Sequence, residues 1–356
     1  MEHNSMKLKM FKRLTLLASF LSLSVSAGTI DDIKKKGYIQ CGVSGQVAGF
    51  SSPDSKGVMQ GLDVDICRAI AAAVLGDAKK VKFTQLSAQQ RFTALQSGEV
   101  DVLSRNTTHT LSRDSKLGLN FAPITFYDGQ GFMVRKKDGI KNGLDLNGAA
   151  VCVQQGTTTE KNISDYFRKN GMKMKAVVFE SREETFKAYI TKRCDVYTTD
   201  ASGLAAERTK LKDPENHIIL PDRISKEPLG PAVRHGDDQW FDAVKFTVYA
   251  LLAAEEYGIN SGNIDTDEVQ KSTDPAVQKL IGNNAGNGKS LGLTLKEGKK
   301  SVDNEKWAYQ AIKQVGNYSE IFERNVGPNT PLKLERGLNA LWNARKPGLM
   351  YAPPLK

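Results

Sequence analysis

The sequence predicts an α/β fold of two similar lobes, on three observations. A helix–turn–strand unit occurs twice, 94 residues apart; strand and helix signals alternate ahead of each copy; and a polar segment follows each copy's strand. The first copy is Ser87-Ala-Gln-Gln-Arg-Phe-Thr-Ala-Leu-Gln-Ser-Gly-Glu-Val-Asp-Val-Leu103. The second is Ser181-Arg-Glu-Glu-Thr-Phe-Lys-Ala-Tyr-Ile-Thr-Lys-Arg-Cys-Asp-Val-Tyr197. Each opens on a capping box, Ser87 with Gln90 and Ser181 with Glu184, in which side chains and backbone N–H groups satisfy one another at a helix start. Phe92 with Leu95, and Phe186 with Tyr189 and Ile190, recur at helical spacing. Gly98 is placed to end the first helix, and Val100-Asp-Val102 or Cys194-Asp-Val196 begins a short buried strand. A solenoid would need at least three shorter units stacked together, so two copies this far apart read as two lobes.

The other elements follow the same alternation. Tyr38-Ile-Gln-Cys-Gly-Val43 reads as a strand before a helix over residues 63–75, and Ala150-Val-Cys-Val153 as a strand before a helix opened by Gly156-Thr-Thr-Thr-Glu160. Such alternation implies mixed, mostly parallel sheets covered on both faces. Ligands of such sheets bind beyond the carboxyl ends of strands. Polar residues stand there in both copies: Ser104-Arg-Asn-Thr-Thr-His109 after Leu103, and Thr198-Thr-Asp200 after Tyr197, with Asn106 and Asp200 at equivalent positions. Thr157 with Glu160 matches a further capping box, whose free amides favour an anion; read alone it is also an ordinary capped surface helix. Arg113 with Asp200 adds a cation and a carboxylate, a pair suited to a zwitterion.

Composition is ordinary for a globular chain: of 356 residues 40% are hydrophobic, 25% charged and 8% aromatic, which excludes a disordered polyelectrolyte and a polytopic membrane protein. The net charge of +10 is spread along the chain without an aromatic-interleaved stripe, so nucleic acid is not an expected partner. Lys7, Lys9, Lys12 and Arg13 precede an apolar run over residues 14–25 and then Val25-Ser-Ala27, the pattern of a secretory signal peptide cut after Ala27. As a membrane anchor the run falls well short of the ~20 apolar residues a span needs. Cleavage would remove four positive charges and Glu2, leaving +7. No cysteine follows the cut to carry a lipid, and no later run is long enough to cross a membrane, so the expected product is a soluble exported protein. Cys41, Cys67, Cys152 and Cys194 form no CxxC pair and the histidines are scattered, so no metal site or cofactor is expected. In an oxidising compartment the two-lobed architecture makes Cys41 with Cys67 and Cys152 with Cys194 the local disulfide pairs; buried free thiols remain the alternative.

At these residues the chain resembles the periplasmic solute-binding proteins of polar amino-acid ABC importers, solute-binding protein family 3, and within them the general L-amino-acid-binding subgroup. The resemblance rests on Gly61-Leu-Asp-Val-Asp65, Arg91 to Asp101, Ser104-Arg-Asn-Thr-Thr108 with Ser112-Arg-Asp114, Tyr127-Asp-Gly-Gln-Gly131, Gly156-Thr-Thr-Thr-Glu160 and Tyr197-Thr-Thr-Asp200. Val315-Gly-Asn-Tyr-Ser-Glu-Ile-Phe-Glu323 and Gly348-Leu-Met-Tyr-Ala-Pro-Pro354 are similar to the subgroup's tail. The resemblance implies the two-lobed type II periplasmic-binding-protein fold: lobe 1 over 28–127 and 231–270, lobe 2 over 128–230, crossover strands near 127–130 and 229–232 as the hinge, and a helical extension over 271–356 packed on lobe 1. Residues 240–252 would be a long buried helix of lobe 1, with extension helices near 305–315 and 334–342.

It also implies a site. Arg113 would clamp the ligand α-carboxylate bidentately. Amides around Thr108 and Thr158, with Thr157 and Asn106 beside them, would complete that subsite, and the Thr108 hydroxyl would be a further donor. Asp200 would accept from the α-ammonium. Arg91 would meet the distal end of the ligand, unless it is simply a solvated helix arginine, and Arg105 and Gln130 would be wall residues. Two departures bear on the ligand: His109 stands where the subgroup has tryptophan, and Gln46-Val-Ala-Gly-Phe50 supplies no tyrosine lid. His109 reads as a neutral rim residue or a pH switch. The function implied is capture of polar or acidic L-amino acids in the periplasm of a Gram-negative bacterium by a monomer, for delivery to a membrane permease. One alternative is a larger γ-glutamyl peptide of the glutathione type held by the same α-amino-acid head. A different class is an enzyme of the cyclohexadienyl dehydratase kind, for which Glu160 and His109 are the candidate acid–base groups. The ligand-sensing domain of a receptor is disfavoured, because the sequence has no transmembrane segment.

Overall fold

The computed structural model describes residues 28–283 and 287–355; the leader lies outside them. Two five-stranded sheets share one strand order. The first runs Val81–Gln85, Ile39–Val43, Val102–Leu103, Ala232–Arg234, Leu119–Phe121; the second runs Lys175–Phe179, Ala150–Gln154, Val196–Asp200, Gln130–Arg135, His217–Ile219. In each, the first three strands are parallel and the last two join antiparallel. Both copies of the repeat form, with each strand beginning two residues later than read, at Val102 and Val196. The Arg182–Ile190 helix carries the Ser181–Glu184 capping box, and in the first copy the Gln90 N–H donates to Ser87 Oγ at 3.1 Å ahead of the Gln90–Ser97 helix. Gly98 ends that helix at φ 81°, a left-handed turn glycine adopts freely. The strand after it begins at Val102, because the Asp101 carboxylate turns aside to accept the Gln40 N–H and pair with Lys36.

Both disulfides are present, which decides the question the sequence left open. Cys41–Cys67 ties the Ile39–Val43 strand to the Leu62–Leu75 helix, and Cys152–Cys194 ties the Ala150–Gln154 strand to the turn before Val196–Asp200.

The chain crosses between the sheets twice. The crossings, Phe126–Asp128 and Glu227–Leu229, pair antiparallel with Tyr127 opposite Pro228. The polar segment after Leu103 joins this ribbon: the His109 N–H donates to the Pro228 carbonyl at 2.8 Å and the Gly230 N–H to that of Thr107 at 3.1 Å. The rim of the first lobe is thereby fastened to the hinge.

Helices Leu62–Leu75, Asp238–Glu256 and Trp307–Val315 bury their apolar faces in one core with the first sheet. The Tyr318–Asn325 helix opens on an Asn317–Glu320 capping box, a signal that the sequence reading passed over. It is held by the Asp65 carboxylate, which accepts from Arg324 Nε at 2.8 Å and Asn325 Nδ2 at 2.7 Å. The helix expected near 334–342 does not form; only the 3-10 turn Gly337–Asn339 is present. The Asn339 side chain instead accepts the Tyr127 N–H at 2.6 Å and donates to the Tyr127 carbonyl at 3.2 Å, while Arg336 pairs with Glu255 at 2.9 Å. Those contacts draw the segment along the hinge strand and leave no turns for a helix.

Candidate functional site

The carboxyl ends of the repeat strands of both sheets meet across a cleft whose cavity is about 30 Å3, room for one or two waters. Ligand pockets run to ~300 Å3 and more, so the lobes stand closed and must part to admit a ligand. Arg91, Arg105, Asn106 and Thr108 line it from the first lobe, and Thr157, Thr158 and Asp200 from the second, with Arg182 beside them; Arg113 stands behind this lining.

The first-lobe rim is shaped by Asp63, which is buried at the start of its helix. Its Oδ2 accepts the Asn106 N–H at 2.8 Å and its Oδ1 the Ser104 hydroxyl at 3.3 Å. This holds Asn106 at φ 36°, where a non-glycine backbone is strained, and leaves its Oδ1 buried without a partner. Burial pushes Asp63 up to about 7, against the pull of Asn106, Ser104 and Arg105.

Three arginines of this lobe are buried with donors to spare. Arg91 gives Nη1 to Thr107 Oγ1 at 3.3 Å, and its Nε has no partner; burial and then Arg113 and Arg105 hold its pKa well below the ordinary arginine value. It is therefore not the solvated helix arginine of the alternative reading. Arg105 spends Nε on the Leu86 carbonyl at 2.9 Å and is lowered to about 10 by burial and then by Arg182. Arg113 donates Nη1 to the Thr108 carbonyl at 2.8 Å, lies over the Phe92 ring at 5.1 Å, and is lowered to about 10 by burial, against the raising fields of Glu227 and Asp200.

Across the cleft, Asp200 ends the Val196–Asp200 strand and is 7% exposed, and its carboxylate receives no hydrogen bond among the described residues. Burial, then the Asp128 and Glu227 carboxylates, push it well above the usual carboxylate range; Arg182 and Arg91 pull the other way. A buried carboxylate facing buried guanidiniums with unspent N–H groups can be relieved by a ligand carrying both an ammonium and a carboxylate.

Several residues sit differently from the expectation. The Thr108 hydroxyl is not free for a ligand: it donates to Glu227 Oε2 at 2.6 Å. Thr157 caps its helix by accepting the Glu160 N–H at 3.2 Å, but the Glu160 carboxylate takes the Gly156 N–H at 2.9 Å, one residue before the cap, so the reciprocal half of the box is missing. Gln130 is fully buried beneath the cleft, giving Nε2 to the Thr159 carbonyl and Thr198 Oγ1; it supports the wall without reaching the cavity. His109 also lies outside the cavity, stacked on Phe121 at 4.5 Å with Nε2 3.1 Å from the Asp114 carboxylate.

Two site residues escaped the sequence reading. Arg182, read only as the residue after a cap, donates Nε to Glu207 at 2.5 Å and turns its head to the cavity. Glu227, on a hinge strand beside a proline, gave no signal at all.

Among known proteins, residues 39–328 match the model of the bacterial extracellular solute-binding proteins, family 3. The chain is 55% identical over 335 residues, 94% of each chain, to the general L-amino acid-binding periplasmic protein AapJ of Rhizobium johnstonii. It is 48% identical over 352 residues to the glutamate/glutamine/aspartate/asparagine-binding protein BztA of Rhodobacter capsulatus, covering 99% of this chain and 100% of that one. Among solved structures, a periplasmic binding protein of an ABC transporter from Brucella ovis with glutathione bound is 53% identical, with a TM-score of 0.86 over 93% of this chain and all of that one.

Proposed function

The chain belongs to family 3 of the bacterial extracellular solute-binding proteins, and from that membership we propose that it captures polar or acidic L-amino acids in the periplasm and delivers them to the permease of an ABC importer. The observation that carries the reading is Asp200, buried and without a donor, across the cleft from Arg91 and within the field felt by Arg113. The α-ammonium goes to Asp200, the α-carboxylate to Arg113 and the amides at the start of the Thr158–Lys169 helix, and the distal end to Arg91 and Arg105. Contacts from both rims bind the closed form better than the open one, which is what drives closure.

Among the described residues no helix is long and apolar enough to cross a membrane. Isothermal titration of the mature chain, residues 28–356, with glutamate, aspartate, glutamine, asparagine and neutral apolar amino acids tests the reading. Tight binding of the polar and acidic members supports it, and heats indistinguishable from dilution across the panel would sink it.

The glutathione in the Brucella ovis structure favours a second reading, a γ-glutamyl peptide bound through the same head. Either ligand needs more room than the cleft offers here, glutathione more than an amino acid, and glutathione in the same titration decides it. An enzymatic role has less support: the Glu160 carboxylate is taken by Gly156 and His109 lies outside the cavity, so neither acid–base candidate faces a substrate. A turnover assay with dehydratase substrates is the direct check.

A further inference from the structure

Glu227 is 1% exposed, and both of its oxygens are fully engaged. Oε2 accepts the hydroxyls of Thr108 at 2.6 Å and Thr158 at 2.8 Å; Oε1 accepts Asn162 Nδ2 at 2.8 Å and the Ser225 hydroxyl at 2.6 Å. These donors come from opposite sides of the cleft. Thr108 belongs to the first-lobe rim and is bridged to Leu229 in the hinge ribbon. Thr158 and Asn162 ride on the Thr158–Lys169 helix of the second lobe. Glu227 itself sits where the hinge strand leaves the second sheet, with the Ser225 hydroxyl accepting the Gln130 N–H, so one carboxylate ties the first-lobe rim to the second-lobe helix, and parting the lobes pulls its two sets of donors apart.

We infer that Glu227 is a positioning residue: a built-in carboxylate that latches the second-lobe helix to the first-lobe rim and sets how much of the unliganded protein is closed. The inference rests on the two-rim reading of ligand capture given above. By accepting the hydrogen bonds of the Thr108 and Thr158 hydroxyls it also leaves backbone amides and Arg113 as the donors a ligand carboxylate meets. A ligand that binds only the closed form has its apparent dissociation constant divided by the closed fraction, so the latch acts on affinity without touching the ligand.

The test compares wild type, Glu227→Gln, Thr158→Val and the double variant, all as the mature chain. Small-angle scattering without ligand gives the closed fraction, titration with glutamate gives Kd, and a thermal melt gives Tm. The closed fraction is expected to fall about five- to tenfold in Glu227→Gln and Kd to rise by the same factor. Thr158→Val should change both in the same direction and by less, and the double variant should be no worse than Glu227→Gln, because Thr158→Val removes one of the bonds that Glu227→Gln disrupts. Unchanged scattering and Kd, whatever Tm does, would overturn the inference, as would additive effects in the double variant. If Glu227→Gln fails to fold, Thr158→Val, which keeps the carboxylate and the Thr158 amide, decides alone. Scattering needs no ligand, so a wild type that binds nothing in the panel would refute the proposed function while the latch is still judged on closure.

Discussion

Gly156 on the second-lobe rim lies directly against Gln89 of the first: a β-carbon built on it would stand 2.8 Å from the Gln89 Cγ. Its φ of 74° also strains any side chain. Gly156→Ala should therefore resist closure more than it harms either lobe. We expect glutamate affinity to fall on the order of tenfold, with a stability loss of about 1 kcal/mol read from a denaturant titration.

Arg113→Lys should fail nearly as completely as Arg113→Ala. One ammonium cannot grip a carboxylate with two parallel bonds while still serving the Thr108 carbonyl that Nη1 holds at 2.8 Å. A loss of about 3 kcal/mol of binding, more than a hundredfold in Kd, is expected by titration calorimetry for both variants. Retained micromolar affinity in Arg113→Ala would remove it from the site.

Asp63 makes stability depend on pH in a direction opposite to a salt-bridged carboxylate. Its pKa in the folded chain is raised from 3.8 to about 7, so between those values the folded state holds a proton that the unfolded state has released. Stability from this group is full below pH ~4, falls as pH rises toward 7 and is flat above it, a change of up to about 4 kcal/mol. Asp63→Asn keeps the size of the side chain and removes the titration. The stability of this variant relative to wild type should therefore grow between pH 4 and 7 in urea melts, and a constant difference across that window would refute the assignment.

Replacing both Cys152 and Cys194 with serine opens a loop of 42 residues' separation in the second lobe. About 3 kcal/mol of stability should be lost. Because neither cysteine lines the cavity, glutamate affinity should stay within about twofold once the variant is folded.

The repeat was legible because its signals are local. Ser181 with Glu184, Phe186 with Tyr189, and Gly98 each act within one or two turns of a helix, and the structure uses them as read. Asn106 and Asp200 could be brought to one cleft because strand ends in such sheets point one way, whereas Arg91 and Thr158 came from the family resemblance. Glu227 could not. Its partner Thr108 is 119 residues away, and the contact depends on the register of a three-residue hinge strand that no hydrophobic period marks. His109 shows the same limit, since its ring is claimed by Phe121 on a neighbouring strand. The segment at 334–342 has helical spacing, but side-chain bonds to Tyr127 and Glu255 override it.

Those bonds to Tyr127 bear on how the protein behaves in a crowded compartment. The hinge ribbon has only two strands, and a bare outer edge would expose backbone donors and acceptors to any passing chain. Asn339 occupies both groups of Tyr127 with its own amide, imitating a third strand that ends after one residue. The hinge can bend while its edge stays closed to strand exchange with a neighbour, so trimming the tail should show first as self-association and only afterwards as lost binding.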